Sequence, residues 1–187
     1  MQLIKKFVGL FSIIALLSGL FVPNLVAAQS KGVVSPKASP AAAQISSFEL
    51  FWPIVAGKTM DEPWYFLKSF KENLRGMLIF GSPQKADYEL LLATKRVVEA
   101  EKLINGGKTD YANKTLEIAL QELGKSSLDL DKALSLKVSF QEQALNMTNK
   151  LSNLEVFIPW LMTQSEKSKE NLGKVLEKVS LLSEKLQ

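Results

Sequence analysis

The chain has 187 residues, a formal net charge of +4, and neither cysteine nor histidine. Those two absences exclude disulfides, thiolate nucleophiles, imidazole bases and Cys/His zinc sites. The length suits one ordinary domain, or a small domain with tails.

The N-terminus reads as an address. Lys5 and Lys6 precede an uncharged apolar run over residues 7–22, which Pro23 and Asn24 interrupt before Val26-Ala27-Ala28. A charged start, an apolar centre and a small-residue site make a secretory signal peptide over 1–28, with cleavage expected after Ala28. The alternative is an uncleaved anchor that tethers the chain to a membrane, since about 20 apolar residues suffice to cross a bilayer. Either reading places the folded part outside the cytoplasm, secreted, periplasmic or envelope-associated. Removing 1–28 takes away two lysines and no acid, so 23 basic against 19 acidic residues becomes 21 against 19, a net charge of +2. That balance is a poor nucleic-acid footprint, and no nucleic-acid partner is expected.

Residues 29–47 are rich in Ser, Ala and Pro and read as a flexible linker. Residues 48–187 then form a single helical domain. The segment 48–61, FELFWPIVAGKTMD, is too apolar for a free tail, while Pro53 and Gly57 oppose a continuous helix. It is expected to lie over the bundle as an irregular or short helical piece. Gly57-Lys58-Thr59 is similar to the end of a phosphate-binding loop, but the glycine needed five positions earlier is Trp52. A turn is expected instead.

Helical periodicity begins near residue 62. Leu67, Phe70, Leu74 and Met77 recur at helical spacing and predict a first helix over 62–79, ended by Gly81. Ser82 and Pro83 are a capping residue and a first-turn proline for a second helix reaching Asn105. Its stripe is alanine-rich, with Ala86, Ala93 and Ala100, and Gly106-Gly107 stops it. From Ala112 to Ile158 one stripe keeps its phase, with only Ser126 and Lys137 not apolar. A single long, coiled-coil-like helix over 109–158 is expected. The alternative is a turn near Gly124. Pro159 is expected to open the last helix, over 159–186. The fold class is all-α: an elongated antiparallel bundle or coiled coil of about four helices, one of them long.

One stretch carries a resemblance. Pro63, Tyr65, Leu67, Lys68 and Glu72 read P-x-Y-x-L-K-x-x-x-E. A proline turn follows at Pro83, with Lys85 and Ala86, and the next helix ends in R-x-x-E-A-E at Arg96, Glu99, Ala100 and Glu101. The pattern resembles a domain family of unknown function found in bacterial extracytoplasmic proteins, over about 48–134. Phe80-Gly81-Ser82-Pro83 departs from it, since relatives often carry aspartate before the proline. The resemblance implies a helical, secreted or tethered domain and no known reaction.

The candidate chemistry is thin. Lys68, Glu72, Arg96, Glu99 and Glu101 form a charged cluster, read either as ion pairs that seat one helix on another or as the lining of a ligand pocket. Asp129 and Asp131 lack the glycine and terminal glutamate of a calcium loop. Ser165-Glu166-Lys167, Ser168-Lys169 and Ser135-Leu136-Lys137 lack the spacing of a Ser–Lys nucleophile. No catalytic residue, metal or cofactor is expected. Phe48, Phe51, Trp52, Trp64, Tyr65, Phe66 and Phe70 are expected to form a small core, and Trp160 is the candidate partner surface. The leading expectation is a non-enzymatic protein for partner binding or envelope organisation, through an unknown protein or self-association. The alternative is a ligand- or substrate-binding domain with a charged pocket beside the first helix, and a third reading is an adaptor on anionic lipid.

Overall fold

A computed structural model describes residues 45–187 apart from residue 138. The signal segment, Ala28 and residues 29–44 of the expected linker lie outside the described residues. The elements are α1 (Ser47–Phe51), α2 (Tyr65–Met77), α3 (Ser82–Asn105), α4 (Thr109–Ser135), α5 (Gln141–Gln164), a 3-10 turn (Glu166–Ser168) and α6 (Lys169–Glu184). The described residues contain no strand, and the class is all-α as expected.

Helix α3 starts one residue earlier in its cap than the sequence suggests. Ser82 is the first helical residue, and Gly81 holds the cap position at φ 96°, which glycine reaches without a Cβ penalty. Gly106-Gly107 then turns the chain into α4. Ala86, Ala93 and Ala100 of α3 and Ala112, Ala119 and Ala133 of α4 are all fully buried, so the two helices share a seam of small side chains. Ser126 interrupts the apolar stripe of α4 for a local reason. Its hydroxyl donates to the Ala86 carbonyl at 2.8 Å across the seam, satisfying a polar atom that burial would otherwise penalise.

The expected helix over 109–158 is two helices. Helix α4 passes Gly124 unbroken and stops at Ser135, Lys137 adopts φ 52°, and α5 begins at Gln141. The stripe keeps its phase because both helices bury it in one core: Leu130 and Ala133 before the break, Met147, Leu151, Leu154 and Ile158 after it. Phase reports a shared core, not an unbroken backbone. Pro159 also differs from expectation. It sits exposed inside α5, and the chain turns only at Ser165, before the 3-10 turn.

These breaks let the α5–α6 hairpin pack against the α3–α4 hairpin, α5 on α3 and α6 on α4. Asn113 reaches the Lys167 carbonyl near the start of α6, while Lys185, just past its end, pairs with Asp131. Helices α4 and α6 therefore run in the same direction. Helix α1 packs on α5, where Phe51 meets Phe157 edge-on at 5.3 Å between ring centres. Helix α2 is the exception to this economy of burial, and it carries the candidate site.

Candidate partner surface

Helix α2 lies on α3 with its polar side inward. Its only buried residue is Glu72. The stripe expected to face the core points the other way: Phe66, Phe70 and Met77 are 62%, 66% and 76% exposed, with Leu67 and Leu74 near half. Of the expected aromatic core, only Phe51 is buried and Tyr65 half-buried, while Phe48, Trp52, Trp64, Phe66 and Phe70 are exposed. The reason is electrostatic. A helix can satisfy either its charged face or its apolar face against α3, and α3 presents charge at this point.

That charge is an alternating chain of five groups. Lys95 pairs with Glu72 at 2.6 Å, Glu72 with Arg96, Arg96 with Glu99 at 2.7 Å, and Glu99 with Lys68. Glu99 is fully buried and Arg96 nearly so. The sequence-predicted residues Lys68, Glu72, Arg96 and Glu99 thus meet, but Lys68 and Glu72 do not pair with each other along their helix. They each reach α3, which is what seats one helix on the other. Glu101 stands apart from the network, half-buried beside Ser47 of α1.

The network is nearly saturated. The Lys68 ammonium also donates to the carbonyls of Ala56 at 3.0 Å and Lys58 at 2.7 Å, so its three hydrogens have partners. Burial pulls the Lys68 ammonium down and pushes the Glu99 carboxyl up, each partly offset by the other's charge. Burial also pushes Glu72 up, but the Lys95 hydrogen bond and the Arg96 charge outweigh it and hold the carboxyl below its usual range. For Arg96 the carboxylates of Glu99 and Glu72 win over burial and keep the guanidinium charged. Tyr88 completes the seat: its hydroxyl donates to the Glu72 carbonyl at 2.9 Å, and its ring lies against Gly76, where a Cβ would come within 3.3 Å.

The loop before α2 is tied down as well. Gly57-Lys58-Thr59, expected as a turn, is irregular backbone with a bend at Lys58 and Gly57 at φ 61°. Thr59 donates to Asp61 and Glu62, and those acids pair with Lys108 and Lys102 around the α3–α4 turn. The Lys108 hydrogen bond, then that of Thr59, holds the Asp61 carboxyl well below the usual range.

Trp160, the candidate surface from sequence, is half-buried with its ring on Phe157 at 5.4 Å. The exposed tryptophans are Trp52 and Trp64. The expected ligand pocket also shifts. Arg96, Glu99 and Glu101 line neither of the two clefts beside α2, and the first two are spent on internal pairs. The cleft beside the end of α2, about 350 Å³, is instead lined by Glu89, Glu122, Asp129 and Lys125. Burial first, then the charges of Asp129 and Glu122, push the Glu89 carboxyl up to about 7. Sequence reasoning passed over Glu89, since nothing in its spacing marks it. It also passed over Ser82 and Lys85, which do have the Ser–Lys spacing; Ser82 is buried at the start of α3.

A family model for a domain of unknown function, DUF5667, matches residues 57–181. The chain belongs to the DUF5667 family. The match runs from the loop before α2 well into α6, so this DUF5667 domain comprises the loop, α2 and both hairpins; it starts later than the 48–134 stretch that the sequence pattern suggested and ends well beyond it. No curated protein and no solved structure matches the chain.

Proposed function

We propose that this DUF5667 domain is a non-enzymatic binding module of the bacterial cell envelope, exported by its N-terminal segment, with the outward face of α2 as its contact surface. One observation carries the reading: a helix with a continuous apolar stripe is held in place by its charged face, leaving that stripe open to solvent. Exposed apolar patches of this kind mark interaction sites in soluble domains. The buried ion chain acts as the mount and supplies no reactive group, since its members are paired with one another. The apolar N-terminal run over 7–22 supports export, as does the resemblance to extracytoplasmic proteins.

The test is photo-crosslinking in the native envelope with a crosslinking amino acid at Phe70, against the same substitution at an exposed α5 residue such as Ser152. A defined adduct at Phe70 and none at Ser152 is expected. Equal labelling at both positions would defeat the proposal. Fractionation of the same cells checks export; chain found only in the cytoplasm would overturn that part.

A further inference from the structure

The outward face of α2 has a chemical setting that narrows what covers it. The apolar stripe extends past both ends of the helix, to Trp64 before it and Phe80 after it, the latter 84% exposed. Alongside runs an open groove of about 460 Å³ between α2 and α3. Lys58, Lys68, Lys71, Arg75 and Lys95 line it with Glu72; Lys68 and Lys95 are already paired with Glu99 and Glu72, which leaves Lys58, Lys71 and Arg75 without a carboxylate partner among the described residues. Lys71 and Arg75 are exposed and lie on the flank of the stripe. Apolar side chains on one face, bordered by exposed cations on the next, form the pattern of a helix that lies in a membrane interface.

From this we infer that α2 docks on an anionic lipid bilayer, with Phe66, Phe70, Leu74 and Met77 entering the acyl boundary and the Lys71/Arg75 groove taking lipid phosphates. The inference rests on the reading of α2 as the contact surface and names its partner. The surface is the face of a single helix of 13 residues, about 20 Å long, that buries only Glu72. A protein partner would need a matching trough, whereas an interface accepts a lone amphipathic helix along its length. Basic residues close to an anionic surface add to the attraction, and salt weakens it within a Debye length.

The chain has no cysteine, so a single introduced thiol can report one position. The full chain carrying Met77→Cys, labelled with an environment-sensitive fluorophore, is mixed with vesicles of equimolar phosphatidylglycerol and phosphatidylcholine, or of phosphatidylcholine alone. A label at Ser152→Cys serves as control. The expected result is a blue shift at position 77 on anionic vesicles only, none at 152, and a shift weakened by high salt. The double variant Phe66→Ser/Phe70→Ser should lose it. Lys71→Glu/Arg75→Glu should weaken apparent vesicle affinity at least tenfold. All four positions are exposed, so circular dichroism should show the variants folded. No shift on anionic vesicles, the same shift with both lipids, or indifference to Phe66 and Phe70 would each overturn the inference. A concentration-dependent shift without vesicles, lost in Phe66→Ser/Phe70→Ser, would assign the face to a second copy and overturn it too. An adduct between Phe70 and a protein, with position 77 unmoved on vesicles, would leave the contact surface standing and remove the lipid.

Discussion

At the scale of single residues, the unusual feature is charge placed where a small domain normally places hydrocarbon. Arg96 and Glu99 are buried, and each depends on the other and on partners from α2. Removing one member of such a pair strands the other charge away from water. Arg96→Ala is therefore expected to cost about 3–5 kcal/mol of stability in a urea titration, far more than removal of an exposed arginine. Glu89 poses the opposite case, a half-buried carboxyl with no ion-pair partner among the described residues and one buried oxygen lacking a hydrogen bond there. Its value of about 7 lies above the usual 4.5, so the fold favours the protonated form. The sign follows: this stabilisation is complete at pH below about 4.5 and is lost as pH rises through 7. Glu89→Gln should flatten that decline and raise stability at pH 8 by about 1 kcal/mol, a fraction of the full linkage energy because water screens the exposed half. Thermal melts of both proteins across this pH range check it. The ion-pair role of Arg96 was legible in its charged cluster, but its pairing was not, because Glu72 lies 24 positions away on another helix while Glu99 is one turn along its own; nothing in the spacing marked Glu89.

At the scale of elements, α2 and α3 show how one periodic pattern can have two meanings. Both helices carry a stripe at helical spacing, and sequence alone assigns both stripes to the core. In α3 that assignment holds, and Ala93 is completely buried in the seam. Ala93→Leu should overpack it at a cost of about 1–3 kcal/mol, read as a lower denaturation midpoint. In α2 the stripe faces solvent, so Phe70→Ser should change stability by no more than about 0.5 kcal/mol, whereas truncating a core phenylalanine costs about 3–5. A loss of core size at Phe70 would contradict the outward orientation. The clue available in sequence was the company α2 keeps: Lys68 and Glu72 on its opposite face, and a second helix with Arg96 and Glu99 beside its alanines. Which face wins is decided by complementarity between two helices, which the periodicity of either one does not contain.

At the scale of the whole described domain, stability is distributed unevenly. The α3–α4 seam is a continuous strip of fully buried side chains, while α2 buries one residue and depends on a few charged contacts. Amide hydrogen exchange should therefore show α2 and the loop before it exchanging through local opening, with α3 and α4 protected up to global unfolding. Equal protection across all helices would mean that α2 is held by more than its ion chain. This hierarchy suits a contact element mounted on a rigid frame.

The helical class, the start of α3, its end at the double glycine and the composition of the alanine seam were all legible in the order of the amino acids. These follow from local signals, namely periodicity, proline in a first turn and glycine at a stop. Lys137 and Ser165, where the chain leaves the helix, are polar positions, but so is Ser126 inside α4, so polarity alone did not mark the breaks. They were masked by a stripe that keeps its phase across them, because phase is set by the common core. Long-range packing set the docking of the second hairpin on the first and the outward turn of the α2 hydrocarbon. Both outcomes depend on pairings between residues distant in sequence, where the cost of a buried unpaired charge outweighed the gain from burying a stripe of apolar side chains.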